Sequence, residues 1–200
     1  MSIIYATKEK VIVCDCDGVL LDWEYAFDSW MHRHGYKIAI HGVYNVNIKY
    51  NLQTKEAQRL ILMFNESARV RRLPPFKDAI NYVRKLHIEH GYVFHVITSM
   101  TDDEYAQHLR TKNLRELFGD TVFERYVYLD CGAPKHDALA EYKDTECYWV
   151  EDNESNAQAG KELGLDSILM AHEHNINNLS NIPRVQNWKD IYNKIIGNDD

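Results

Sequence analysis

Val11-Ile12-Val13-Cys14-Asp15-Cys16-Asp17-Gly18-Val19-Leu20-Leu21-Asp22 is the stretch on which the fold turns. Four apolar or β-favouring residues run straight into two carboxylates one residue apart, and a glycine follows. An apolar run of this length, bounded by a turn signal, reads as a strand buried on both faces. Unpaired charge is costly at that depth, so two acids at the end of such a strand call for a counter-charge. A bound cation supplies it most simply, at the carboxyl end of a central parallel strand, where open α/β sheets place their ligands.

The rest of the chain is compatible with that start. Two hundred residues suit one domain, or one domain with a modest insertion, and 45% hydrophobic with 26% charged residues is ordinary for a water-soluble globule. A net charge of −7 argues against nucleic acid as the main partner, because phosphate backbones are held by basic faces. No apolar run is long enough to cross a bilayer and no signal segment opens the chain, so no membrane is expected and the cytoplasm is the default location. Cys14, Cys16, Cys131 and Cys147 read as free thiols in or beside strands, since a lone C-x-C pair is a poor zinc signal.

Met1–Lys10 reads as a lead-in of mixed character. Beyond the first strand, Trp23, Ala26, Phe27, Trp30, Met31 and His34 fall at helical spacing and Gly35 closes the run. Tyr36 to Gln53 is polar and Asn-rich and reads as loop. A second helix follows, with Thr54 as N-cap and Ala57, Leu60, Ile61, Phe64 and Ala68 on one face. Pro74-Pro75 marks a boundary, because proline cannot continue a helix. A third helix is expected from Phe76 to His90.

From Tyr92 onward strands alternate with helices: strands at Tyr92–Thr98, Tyr126–Leu129, Cys147–Val150 and Ser167–Met170, helices at Asp102–Asn113, Lys135–Tyr142 and Glu154–Leu163. The tail carries an amphipathic helix with Trp188, Ile191, Tyr192, Ile195 and Ile196 on one stripe. Successive βα units imply a Rossmann-like parallel sheet with helices on both faces, an α/β fold. The first two strands are too far apart in sequence for a single crossover. Residues 22–73 are therefore expected to form a small helical cap inserted after the first strand, with 1–21 and 74–200 as the core.

All parallel strands deliver their carboxyl ends to one edge of the sheet. That edge would collect Asp15 and Asp17, then Thr98 and Ser99, then Glu151 and Asp152, with Lys135 just before a helix. Carboxylates of this kind suit a hard cation such as Mg²⁺, and the lysine and hydroxyls suit an anionic substrate.

Asp15-Cys16-Asp17-Gly18-Val19, Thr98, Lys135 and Glu151-Asp152, in this order, resemble the four motifs of the haloacid dehalogenase (HAD) superfamily, in its phosphatase branch. The resemblance spans about residues 11–22 and 92–170. It implies Mg²⁺ and a phosphatase acting on a small phosphomonoester through an aspartyl-phosphate. Asp15 would be the nucleophile and Asp17 the general acid and base, with Thr98 and Lys135 stabilising the transferring group. The metal would be held by Asp15, the main-chain carbonyl of Asp17 and Asp152, with Glu151 orienting a bound water. Gly18 and Ser99 would border the substrate. Asn156 stands where many relatives carry a further acid. The cap resembles the small helical caps of 5′(3′)-deoxyribonucleotidases, which makes a nucleotide one candidate substrate.

Arg69, Arg71 and Arg72 admit two readings, a clamp on an anionic substrate with Arg69 foremost, or a solvated hinge. The ten histidines, among them His172 and His174, read as surface residues. A phosphotransferase or mutase, a non-catalytic binding protein on the same core, and a polynucleotide end-phosphatase remain open alternatives to the phosphatase.

Overall fold

The structure is a computed structural model that describes residues 11–177 and 180–197. The lead-in 1–10 lies outside them. Six parallel strands form one sheet: β1 Val11–Cys14, β2 Val93–Ser99, β3 Phe123–Leu129, β4 Tyr148–Glu151, β5 Asp166–Met170 and β6 Arg184–Val185. Their order is β3-β2-β1-β4-β5-β6, so β1 lies in the middle and is paired on both sides. That position explains why all four of its residues are buried. Among the described residues, the two-residue strand β6, too short to show a period, is the strand that sequence patterning does not reveal.

Side-chain alternation along the strands separates two apolar layers. Ile12, Cys14, Phe94, Val96, Val150, Ile168 and Met170 pack under α4 (Ala79–His90), α5 (Glu104–Phe118) and α8 (Trp188–Ile196). Val11, Val13, Ile97 and Trp149 face the other way, onto Leu139 of α6 (His136–Leu139), Tyr142 and Leu163, the last directly after α7 (Glu154–Glu162). Helices thus cover both faces, as the βα rhythm predicts. α8 docks through Trp188, whose indole N–H donates to the Val19 carbonyl at 2.8 Å, while both oxygens of Asp78 accept from the first backbone N–H groups of the helix.

Between β1 and α4 the chain makes α1 (Trp23–Arg33), α2 (Val46–Lys49), α3 (Thr54–Asn65) and a 3₁₀ turn over Ala68–Arg72. α2 interrupts the stretch that reads as loop. Thr54 is the first helical residue, after Gln53 as N-cap, and Ala68 belongs to the 3₁₀ turn. The outgoing and returning chains run side by side: Asp22 N–H donates to Pro74 O, Phe76 N–H to Leu20 O, and Leu21 and Pro75 form an antiparallel bridge. Trp23, Phe27, Trp30, Tyr50 and Phe64 pack as an aromatic cluster whose apolar surface continues into Leu20, Leu21, Leu73 and Phe76. This segment therefore shares its hydrophobic core with the sheet. No helix among the described residues is long and apolar enough to cross a membrane.

Candidate active site

The strand order reverses between β1 and β4, and in open α/β sheets the crevice beyond the carboxyl ends at such a reversal is where ligands bind. Asp15 follows β1 there and extends its ladder, its N–H donating to Val150 O at 2.9 Å. Glu151 ends β4 and Asp152 follows it. One oxygen of each of Asp15, Glu151 and Asp152 lies within 4.8 Å of the others, and all three residues are buried.

Lys135, the N-cap of α6, is the cation placed among them. Its Nζ is 2.7 Å from Asp15 Oδ2 and donates to Glu151 Oε2 at 2.8 Å. Glu151 is fully engaged, because its Oε1 accepts the backbone N–H groups of Asp152 and Asn153, each at 3.0 Å. Its contacts run to the lysine and to the turn after β4, and it stands with Asp15 and Asp152 in the group of carboxylates that could hold a metal.

Three carboxylates with one ammonium leave buried negative charge. Burial, and then the charge of Glu151, push the Asp15 carboxyl up to about 8. Burial, and then Asp15, push Asp152 up to about 7. For Lys135 burial acts to lower the value, but Asp15 and Glu151 more than offset it and hold the amine charged. Such an acid-rich site fits a divalent cation with oxygen ligands, and Mg²⁺ is of that type. Asp17 is not part of the carboxylate group: its side chain pairs with Arg110.

Gly18 has φ +75°, and a Cβ built on it would lie 2.5 Å from Asp152 Oδ2. Both the backbone conformation and the close approach require glycine. Gly18→Ala is expected to lower stability by about 1–3 kcal/mol, read from the midpoint of a urea titration. An unchanged midpoint would show that the turn relaxes freely.

Thr98 and Ser99 end β2 on the same cleft, and Ser99 Oγ donates to Ala133 O at 2.7 Å. The cleft, about 450 Å³, lies between these strand ends and a wall formed by Trp23, Phe27, Val46, Lys49 and Ile61 from the helices of residues 22–73. Asn156 also lines it. Arg69 is exposed and lies outside the lining, so it is not placed as a substrate clamp. Arg71 instead pairs with Glu116 of α5, and Asn113 of the same helix bonds both the N–H and the C=O of Leu73, an arrangement that pins the returning chain.

His172 and His174, which the sequence alone reads as surface residues, belong to this site, as do Asn175 and Arg110. His172 and His174 are only partly exposed and line the cleft. The His172 ring bonds Gly18 O at 2.7 Å, the His174 ring bonds Asp152 O at 3.1 Å, and Asn175 donates to the same Asp152 carbonyl. The loop after β5 thus ties together the backbones of both acid-bearing turns. Arg110 is fully buried on α5. The signal for it was its spacing of four residues from both Ala106 and Leu114, on the apolar stripe of the helix.

Several solved structures share this arrangement of strands and helices. A haloacid dehalogenase-like family hydrolase from Streptococcus pneumoniae superposes with a TM-score of 0.62 at 14% identity, over 92% of this chain and 97% of that one. CbbY from Rhodobacter sphaeroides, in complex with phosphate, gives 0.60 at 16% identity over 91% and 96%.

The chain has the HAD-like fold.

A dehalogenase captured with an intermediate superposes as well, with a TM-score of 0.59 at 14% identity over 94% of this chain and 97% of that one. The HAD-like fold alone therefore does not choose between attack on carbon and attack on phosphorus. Among curated proteins, an uncharacterized 32.4 kDa protein of Enterobacteria phage T4 is 24% identical over 94% of this chain and 70% of its own length. No protein-family model matches the sequence.

Proposed function

We propose that the protein is a Mg²⁺-dependent phosphatase of the HAD superfamily, hydrolysing a small phosphomonoester through a phosphorylated Asp15. The observation that carries this reading is the Asp15 carboxylate, held by Lys135 at the sheet reversal, with a second acid two residues on. HAD enzymes that attack carbon lack that second acid, so Asp17 favours phosphorus.

Asp15 is fixed by two donors, the Cys16 N–H at 2.7 Å on Oδ1 and Lys135 on Oδ2, which holds it ready for in-line attack. As its oxygen bonds to phosphorus, the ester P–O bond breaks and the electron pair leaves on the alcohol oxygen, which takes a proton from Asp17. In the second half Asp17 takes a proton from water, the water oxygen bonds to phosphorus, and the Asp15–phosphorus bond breaks to release inorganic phosphate. Splitting one displacement into two lowers each barrier. Lys135 and the Thr98 hydroxyl neutralise charge on the transferring oxygens without reorganising. Asp15, Asp152 and the Asp17 carbonyl would hold Mg²⁺, whose charge, when bound, draws the phosphoryl group and the carboxylates together. A nucleotide is one candidate among phosphomonoesters, and the Trp23 and Phe27 rings on the cleft wall are compatible with it.

Release of inorganic phosphate from an aryl phosphate with millimolar Mg²⁺, and its loss on chelation, is the direct test. Mg²⁺ alone should also raise the melting temperature of the metal-free protein, because an ion that binds only the folded state stabilises it. Phosphate release that persists in excess chelator would overturn the metal dependence.

A further inference from the structure

Arg110 is the buried cation that the phosphoryl-transfer scheme leaves unused. Its side chain has no exposed surface, and a guanidinium at that depth is costly unless its charge and donors are met. Nη1 donates to Asp17 Oδ1 at 2.5 Å and to Cys16 Sγ at 3.3 Å, whereas Nε and Nη2 have no partner among the described residues. The Cys16 sulfur is only a weak acceptor. Compensation of Arg110 therefore falls on a single carboxylate, that of Asp17. In the other direction, Asp17 lines the cleft, and among the described residues its Oδ2 accepts no hydrogen bond.

We propose that Arg110 is a positioning residue for Asp17, anchoring Oδ1 of its carboxylate so that Oδ2 is the oxygen that exchanges a proton with the leaving group. The proposal rests on the acid–base role given to Asp17 above. The anchor is itself well held. One turn along α5, Asn113 grips Leu73 through two hydrogen bonds, and Leu73 directly precedes the prolines at which the chain returns to the core. One face of α5 thus fixes both the returning chain and the second acid. A carboxylate held at one oxygen by a planar donor keeps its rotamer, while a proton on the other oxygen remains free to move.

Leaving-group dependence tests this, because a positioned acid matters more as the departing oxygen becomes more basic. Phenyl phosphate and p-nitrophenyl phosphate have nearly the same shape, but the phenyl leaving group needs the proton far more. Arg110→Met should lower kcat on phenyl phosphate about ten-fold or more beyond its effect on p-nitrophenyl phosphate, with KM little changed, and Arg110→Lys should recover part of the loss. Equal losses on both substrates would overturn the proposal. A second measurement does not depend on turnover. Asp17→Asn should lower the melting temperature by leaving Arg110 unpaired, and adding Arg110→Met to Asp17→Asn should raise it again; losses that simply add would overturn the pairing. Should the wild type release no phosphate, the phosphatase reading fails while this cycle still judges the pair. If Arg110→Met does not fold, Arg110→Lys carries both measurements, with effects in the same direction and smaller.

Discussion

Asp15→Asn is expected to abolish phosphate release, by about 10⁴–10⁶-fold in kcat, the scale seen when a covalent nucleophile is removed. An amide at this position keeps the shape but cannot form the acyl phosphate. The variant should nevertheless fold. Asp15 is buried beside Glu151 and Asp152, and its carboxyl is pushed up to about 8, so its ionised form strains the folded state at neutral pH. The sign follows from linkage: a carboxyl whose folded value lies above its unfolded value costs stability at pH values above the unfolded one. Removing that charge should leave the metal-free melting temperature unchanged or raised. Lys135 keeps Glu151 as partner, so the substitution does not orphan it. The stabilisation by Mg²⁺ should shrink, because one of its carboxylates is gone. Full turnover in Asp15→Asn would remove the nucleophile from the scheme, and a collapsed fold would show that the residue is mainly structural.

Lys135→Met should damage both stability and activity. Lys135 is buried, and it is the cation between Asp15 and Glu151. Its loss leaves two carboxylates without their counter-charge, and breaking a buried pair in this way costs about 3–5 kcal/mol. Part of that cost is relieved when the carboxyls take up protons, and Mg²⁺ should relieve more, so the melting temperature of the variant should respond to Mg²⁺ more strongly than that of the wild type. Activity should fall by about 10²–10³-fold even with metal present, since a fixed donor on the transferring oxygens is gone. Guanidinium titrations with and without Mg²⁺, alongside kcat, would check both parts. A variant as stable as the wild type without metal would mean that the carboxylates do not depend on the lysine.

Much of this architecture was legible in advance. The run Val11–Cys14 is apolar at every position, which only a strand buried on both faces requires, and β1 is indeed central. The βα alternation after Tyr92 dictated a parallel sheet, and the common direction of parallel strands then brought Asp15, Thr98 and Glu151 to one edge. Helix ends were less legible: α5 runs on to Phe118, past the expected Asn113, and α4 begins at Ala79. Val46–Lys49 shows no helical period in four residues, yet it is helical, and Lys49 pairs across the fold with Glu24 and Asp28 of α1.

Local pattern thus determined the strands, their direction and the acids that end them, because apolar periodicity and chain reversal signals act over a few residues. Which further polar residues serve the site was decided by tertiary structure alone. Arg69 lies outside the cleft, while Arg110, His172 and His174 reach Asp17, Gly18 and Asp152 across 93, 154 and 22 residues of sequence. A charged or aromatic side chain on a helix or loop looks alike in sequence whether it meets water or a buried carboxylate. Only packing determines its dielectric surroundings and its partner, and those set what it does.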